Sequence, residues 1–148
     1  DPKGQCHCST DQVARYRSRL SGPLLDRIDI HVDVPRLPAE DLMGGPQAPV
    51  VESSEVVRAR VTTARNRQLK RQGRSNHLLT PRSIDTHCRI DDAGRKLLEQ
   101  AISRLGLSAR AFHRVLKVAR TIADLNQSDT LSLNHLSEAI SYRRLDRR

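Results

Sequence analysis

Residues 106–125 read GLSARAFHRVLKVARTIADL, and the order of apolar and polar residues in this run indicates the fold class. Ser108 is a favoured helix-capping residue, and the apolar residues behind it recur at steps of three and four, which places them on one helix face. This pattern predicts an amphipathic helix that packs on other helices. The apolar positions are Phe112, Val115, Leu116, Ala119, Ile122 and Ala123.

The same run carries a polar stripe at helical spacing. Three of its members are cations that begin one turn past the expected N-terminus, and such a group can hold a phosphate. The solvated face of an ordinary amphipathic helix gives the same pattern, and pattern alone favours this plainer interpretation. The stripe consists of Arg110, Arg114, Lys117, Thr121 and Asp124.

Capping and stop residues predict further helices around this run. Residues 53–148 are therefore expected to fold as a bundle of about four helices with short connections, so that the chain is mainly α. The predicted starts are Ser53 or Ser54, Thr80-Pro81, Asp91 or Asp92, Ser108 and Ser132, and the predicted stops are Gly73 and Gly106.

The first part of the chain predicts two short helices followed by a strand. Ser9 and Gln12 have the spacing of a capping box, which starts a helix expected to reach Leu20, and a helical turn is expected over residues 24–27. Residues 28–34 alternate strictly between apolar and polar, which predicts a strand with its isoleucines and valines on a buried face. Since a single strand cannot satisfy its own backbone, the rest of the sheet is expected outside this chain or in a partner.

A linker is expected between these two parts. Residues 35–52 contain four prolines and a Gly-Gly pair, a composition typical of a loop. The expected division of the chain is thus 1–34, the linker, and 53–148. Because the chain opens at Asp1 without an initiator methionine, we also expect that it was cut from something longer.

Composition excludes several classes of protein. The 148 residues hold only three aromatic side chains, whereas an aromatic-stacking RNA module needs such rings on its binding face. The apolar runs are too short for a membrane span, the opening residues lack the apolar core of a signal peptide, and three cysteines cannot form a disulfide framework. A reducing cytoplasm is therefore the expected compartment.

Positive charge is concentrated in one segment. The chain has a net charge of +9, and residues 56–84 contain eight cations and no acidic residue. Such a field attracts nucleic acid or another polyanion, and a solvated helix face is the plainer alternative. Charge alone leaves both open. The candidate nucleic-acid contacts are Arg58, Arg60, Arg65, Arg67, Lys70, Arg71 and Arg74.

Cysteine and histidine offer half of a possible metal site. Cys6 and Cys8 flank a histidine, but a closed zinc site needs four ligands, usually from two such pairs. His87 and Cys88 are the other candidates, and they lie beyond the linker in a different predicted element, so reduced cysteines near a chain end are the favoured interpretation. The chain also lacks a phosphate loop, a zinc-protease motif and a nucleophile elbow, so it shows no complete active site.

Two runs resemble a known family. Residues 21–32 read SGPLLDRIDIHV, and together with residues 106–125 they resemble segments of the magnesium-chelatase-like AAA+ ATPases. Residues 142–146 fit the same family. Within it, the resemblance is to the ComM/YifB branch of competence-related proteins, and it covers nearly the whole chain. It implies that this is the C-terminal portion of a longer ATPase, with 53–148 as a helical lid and the helix and strand of 1–34 as the end of the α/β core.

The resemblance assigns roles to individual residues. Arg27 matches the position of the arginine finger, which acts on the nucleotide of a neighbouring subunit, and Arg110 matches the sensor-2 arginine that touches nucleotide phosphate. Lys117, on the same stripe, is a weaker candidate for that phosphate. The family's upstream Cys-x-Cys pair would complete a four-cysteine zinc site with Cys6 and Cys8. The phosphate loop and Walker B acids would precede Asp1, so we expect ATP and Mg²⁺ in the longer protein and no ATPase activity in this chain alone.

The resemblance also implies a biological role. Its members are understood as homo-hexameric, ATP-driven DNA helicases that support branch migration during DNA uptake and recombination, so DNA and neighbouring subunits are the expected partners. Two alternatives stay open. One is a non-enzymatic helical DNA-binding module in which residues 108–125 act as a recognition helix, and the other is a chelatase-type ATPase subunit that assists metal insertion.

Overall fold

The computed structural model describes residues 7–35, 37 and 52–143, and within them it contains helices and no strand. The mainly helical fold class is confirmed. The C-terminal bundle has five α-helices rather than about four, because the Thr80-Pro81 start opens a short helix of its own. The helices are α1 Thr10–Arg17, α2 Gly22–Leu25, α3 Ser54–Gln72, a 3₁₀ helix Asn76–Leu78, α4 Pro81–His87, α5 Asp92–Leu105, α6 Ala109–Leu125 and α7 Leu133–Ser141.

The helix boundaries follow the residues that cap them. The Ser53 and Ser108 hydroxyls accept hydrogen bonds from the first turns of α3 and α6, as the sequence predicts. Gly73 and Gly106 end α3 and α5 in the left-handed region, with φ of +69° and +63°. Ser9 forms the predicted capping box of α1, but that helix ends at Arg17 rather than at Leu20.

Helix α6 is the centre of the bundle. It packs against α3, α4, α7 and the 3₁₀ helix, while α5 packs on α7. Five of the six predicted apolar residues are buried and Phe112 is partly buried, which confirms the predicted face; the buried five are Val115, Leu116, Ala119, Ile122 and Ala123. The bundle therefore holds α6 rigidly and positions the polar stripe on the rest of that helix.

The predicted strand over residues 28–34 is wrong for the described structure. These residues, called here the extended segment after the predicted strand, form no regular helix or strand, bend at Asp29 and pair with no strand among the described residues. The predicted burial is also wrong. The apolar residues Ile28, Ile30, Val32 and Val34 are exposed, with Val34 at 85%, and the one buried residue among 28–34 is His31, at 7%. The reason is that nothing in the described chain offers a sheet edge, so the segment turns its histidine side toward the helices.

The extended segment is nevertheless tied to the C-terminal bundle. The Ser108 hydroxyl donates to Asp26 Oδ2 at 2.7 Å, and the Arg143 guanidinium donates to the Ile28 carbonyl. The His31 amide donates to the Tyr142 carbonyl at 2.8 Å. These bonds join residues 26–31 to the start of α6 and to the end of α7.

The expected linker over 35–52 lies almost entirely outside the described residues. In the part of the chain that is described, no helix is long and apolar enough to cross a membrane.

Candidate nucleotide and nucleic-acid sites

A cleft of about 940 Å³ opens between α6, the 3₁₀ turn and the extended segment. Its apolar walls include Ile30, Leu79, Val118 and Ile122. The cationic half of the α6 stripe lines the same cleft, since α6 presents these side chains at successive turns. Its polar lining residues include Arg110, His113, Arg114, Lys117, Thr121 and His77.

The three cations of this stripe differ in their bonding partners. Arg114 forms an ion pair with Asp29 of the extended segment, and Lys117 Nζ donates to the His77 carbonyl at 3.0 Å. Arg110, in the first turn of α6, is exposed and finds no acceptor among the described residues. Arg110 is therefore the cation of the cleft most available to an incoming anion.

Arg27 lies just past the end of α2. Its side chain is exposed, and Nη1 donates to the Pro23 carbonyl at 3.2 Å. Two nearby carboxylates are held by other groups, because Asp26 accepts from Ser108 and Asp29 pairs with Arg114. The Arg27 guanidinium is thus held against its own helical turn and forms no ion pair with Asp26 or Asp29.

The structure divides the predicted nucleic-acid contacts into two groups. Three of them bind carboxylates of this chain. Arg60 forms a two-pronged pair with Glu52 at 2.8 and 2.9 Å, and Arg67 pairs with Asp129. Arg71 donates to Asp124 through both terminal nitrogens. The other four are exposed and have no acceptor among the described residues: Arg58, Arg65, Lys70 and Arg74.

Asp124 is the centre of a buried polar network that the spacing of the α6 stripe does not predict. Its side chain is fully buried, and besides Arg71 it accepts from Asn76 Nδ2 at 2.9 Å and from Arg120 Nη2 at 3.2 Å. Asn76 Nδ2 also donates to Thr121 Oγ1 at 3.0 Å, which links the network to the wall of the cleft. Arg120 is spaced four residues from Asp124, and this helical pairing is the one signal in the sequence that pointed to this centre.

Opposing effects set the protonation state of this network. Burial raises the pKa of Asp124, but hydrogen bonds from Arg71 and Asn76 and the charge of Arg120 outweigh it, so the pKa lies below its ordinary value. Burial lowers the pKa of Arg120, and Asp124 opposes that shift. The carboxylate is therefore ionised at neutral pH and is balanced by two guanidinium groups.

Comparison with known proteins shows which family this chain belongs to. A family model described as magnesium chelatase, subunit ChlI C-terminal, matches residues 51–143, and one described as magnesium chelatase, subunit ChlI, matches residues 1–42. The chain belongs to the magnesium chelatase family. Within this family of AAA+ ATPases, the expected resemblance to the competence-associated branch is confirmed by its relatives.

Two relatives illustrate how the chain fits the family. The uncharacterized protein YifB of Escherichia coli (strain K12) is 46% identical over 140 residues, which cover 95% of this chain and 27% of that protein. The competence protein ComM of Haemophilus influenzae is 43% identical over 140 residues, covering 94% of this chain and 27% of its own length. The chain thus spans about a quarter of the curated relatives that it matches.

The described residues form no metal centre. Cys6 lies outside the described residues, and Cys8 is exposed. Within residues 7–35, 37 and 52–143, no three metal-ligating side chains lie together. Cys88 is buried, and that burial raises the pKa of its thiol to about 11, although Arg120 opposes the shift. Cys8 and Cys88 alone do not make a closed zinc site, which needs four ligands, so the half-site expected at Cys6 and Cys8 stays a prediction.

Proposed function

We propose that this chain is the C-terminal part of a ring-forming, ATP-driven AAA+ motor that acts on DNA. In this proposal residues 1–34 end the α/β core, 35–52 are the linker and 53–148 form the helical lid. The exposed alternating side chains of residues 28–34 support this division, because a buried sheet in the core would cover them.

The observation that carries the proposal is the position of Arg110. It stands exposed in the first turn of a central helix, beside an apolar cleft of about 940 Å³, and it is not committed to a carboxylate of the described chain. An arginine so placed can donate to nucleotide phosphate, and the N-terminus of the long helix α6 adds to the favourable field. Lys117 is the second candidate, but it must first release the His77 carbonyl.

Arg27 is proposed as the arginine finger. A finger must reach across a subunit boundary with its charge uncommitted, and Arg27 is exposed and bonded only to a carbonyl among the described residues. Neither Asp26 nor Asp29 competes for it, since both carboxylates have other partners. When bound, ATP supplies the phosphoryl group and Mg²⁺ neutralises its charge, and the groups that hold Mg²⁺ are expected outside this chain.

DNA is the proposed substrate because of the concentration of charge on and around α3. Among the alternatives, the non-enzymatic module with a recognition helix is disfavoured by the burial of α6, since a helix that reads a groove must expose one face. A chelatase-type subunit that assists metal insertion gives no reason for eight cations without an acid over residues 56–84.

The role of Arg110 can be tested by nucleotide binding in the full-length protein. We expect Arg110→Ala to weaken the affinity for a fluorescent ATP analogue by about tenfold or more, because a charged hydrogen bond to phosphate is lost. Arg104→Ala is the matched control, since Arg104 is exposed at the end of α5 and does not line the cleft. Equal affinities of wild type and Arg110→Ala would remove the assignment.

A further inference from the structure

The cations on and just after α3 differ in whether a carboxylate already neutralises them. A phosphate that approaches Arg60 or Arg67 also approaches the carboxylate bound to it. Arg71 is more restricted still, with its side chain 23% exposed and held by the fully buried Asp124. The remaining four, called here the open cations, are Arg58, Arg65, Lys70 and Arg74.

We propose that the open cations form a surface that binds the phosphodiester backbone of DNA without sequence preference, and that the three paired arginines take no part. This inference rests on the DNA part of the proposed function. It reduces the candidate DNA contacts from seven residues to four. The paired arginines instead form ion pairs within the chain, with Glu52, Asp129 and Asp124.

The geometry of α3 suits a backbone contact. A helix rises about 1.5 Å per residue, so Arg58 and Lys70 are about 18 Å apart along the axis. Phosphates of one strand advance about 3.4 Å along the duplex per nucleotide, so this length spans several of them. Arg58 and Arg65 are seven residues apart, or about two turns, and therefore lie on the same side of α3, whereas Lys70 is turned about 120° from Arg58, so the surface continues around the exposed side of the helix.

The buried side of α3 keeps this surface rigid. Ala64 and Gln68 are buried where α3 packs on α6, and Gln68 Oε1 accepts from the Asn76 amide at 3.1 Å. Arg71 anchors the end of the same helix to Asp124. The open cations are consequently carried on a fixed element, and their binding should need no rearrangement of the bundle.

Binding through phosphate contacts predicts how the affinity for DNA depends on salt concentration. Each phosphate neutralised on duplex DNA contributes about −0.9 to the slope of log affinity against log salt concentration. Loss of one open cation should therefore flatten the slope by about 0.9, whereas loss of a paired arginine should leave it almost unchanged. Release of a paired arginine from its carboxylate should steepen the slope by about 0.9, because a new contact becomes available.

The test measures binding of the full 148-residue chain to a short fluorescein-labelled DNA duplex by anisotropy across a salt series. We compare Arg65→Gln with Arg67→Gln, which remove the same charge two residues apart on α3. We also compare Asp129→Asn, which releases Arg67, with Asp85→Asn, which removes the same charge on α4 from an exposed residue that pairs with none of these arginines. Thermal melts establish that each variant is folded.

The expected result is a flatter slope for Arg65→Gln, a steeper slope and tighter binding for Asp129→Asn, and little change for Arg67→Gln and Asp85→Asn. Equal effects of Arg65→Gln and Arg67→Gln would overturn the inference while leaving DNA as the substrate. No duplex binding by the wild type at low salt would overturn both, and would indicate an acidic protein as the partner of this surface. The nucleotide assays of Arg110 and Arg27 are independent of either outcome.

Discussion

At the scale of single residues, Asp124 binds side chains from three separate parts of the chain, which its place in the sequence does not predict. It belongs to a polar stripe that reads as one continuous surface, yet the structure buries it completely while Arg110 at the other end stays exposed. The difference arises because α3 and the 3₁₀ turn cover the last turns of α6. Spacing predicted the stripe, but it could not show which turns are covered, since that depends on packing between distant elements.

Replacement of Asp124 should therefore be costly. Asp124→Asn leaves Arg71 and Arg120 without their shared carboxylate, and removal of one member of a buried ion pair costs about 3–5 kcal/mol of unfolding free energy. Asp129→Asn is the control, because Asp129 is 96% exposed and a surface pair contributes at most about 1 kcal/mol. Urea denaturation of both variants measures the difference, and equal stabilities would contradict the proposed importance of the network.

The same residue predicts a pH dependence. Because the folded pKa of Asp124 is below its ordinary value of 3.8, its contribution is fully present above that value and is lost as the pH falls through the folded pKa. The stability gap between wild type and Asp124→Asn should therefore be constant near neutral pH and shrink in acid. A gap that stays constant throughout acid unfolding would show that the carboxylate charge is not what stabilises this site.

At the scale of elements, the helix boundaries were the most predictable feature and the extended segment the least. Caps at Ser53, Ser108 and Gly106 act through neighbours in the sequence, so local patterns sufficed to find them. The face exposed by residues 28–34 depends instead on which surface is present to cover it. Alternation of apolar and polar side chains predicted a strand, but it could not tell that the described chain offers no strand to pair with, or which side would meet the helices.

Gly106 provides a test of the cap between α5 and α6. Its φ of +63° lies in the left-handed region, so Gly106→Ala should cost about 1 kcal/mol through backbone strain alone, since no atom lies within 4 Å of the added methyl group. Gly22→Ala is the matched control, because that position is equally open and has no positive φ. Calorimetric melting of both should show a lower Tm for Gly106→Ala only, and equal melting temperatures would refute the capping argument.

At the scale of the whole molecule, the structure joins two parts that the sequence treats as separate. The composition of residues 35–52 predicted a linker between two separate parts, yet Asp26 and Ile28 are bonded to Ser108, which caps α6, and to Arg143, which follows α7. This brings the segment that carries Arg27 close to the first turn of the helix that carries Arg110. No local pattern could reveal that contact, because more than 80 residues separate its partners. The roles proposed for both arginines rest on the resemblance to the family, not on the pattern of the residues.

The most direct test of the ring-forming ATPase is the behaviour of Arg27 in mixed assemblies of the full-length protein. We expect pure Arg27→Ala rings to bind ATP normally but to lose roughly 10³–10⁵ in turnover, because a guanidinium supplied by a neighbour stabilises the transferring phosphoryl group. Mixing these subunits with subunits disabled in the phosphate loop should restore activity, since an intact finger then meets an intact nucleotide site at some interfaces. Near-normal turnover by pure Arg27→Ala rings, or no recovery on mixing, would contradict the account.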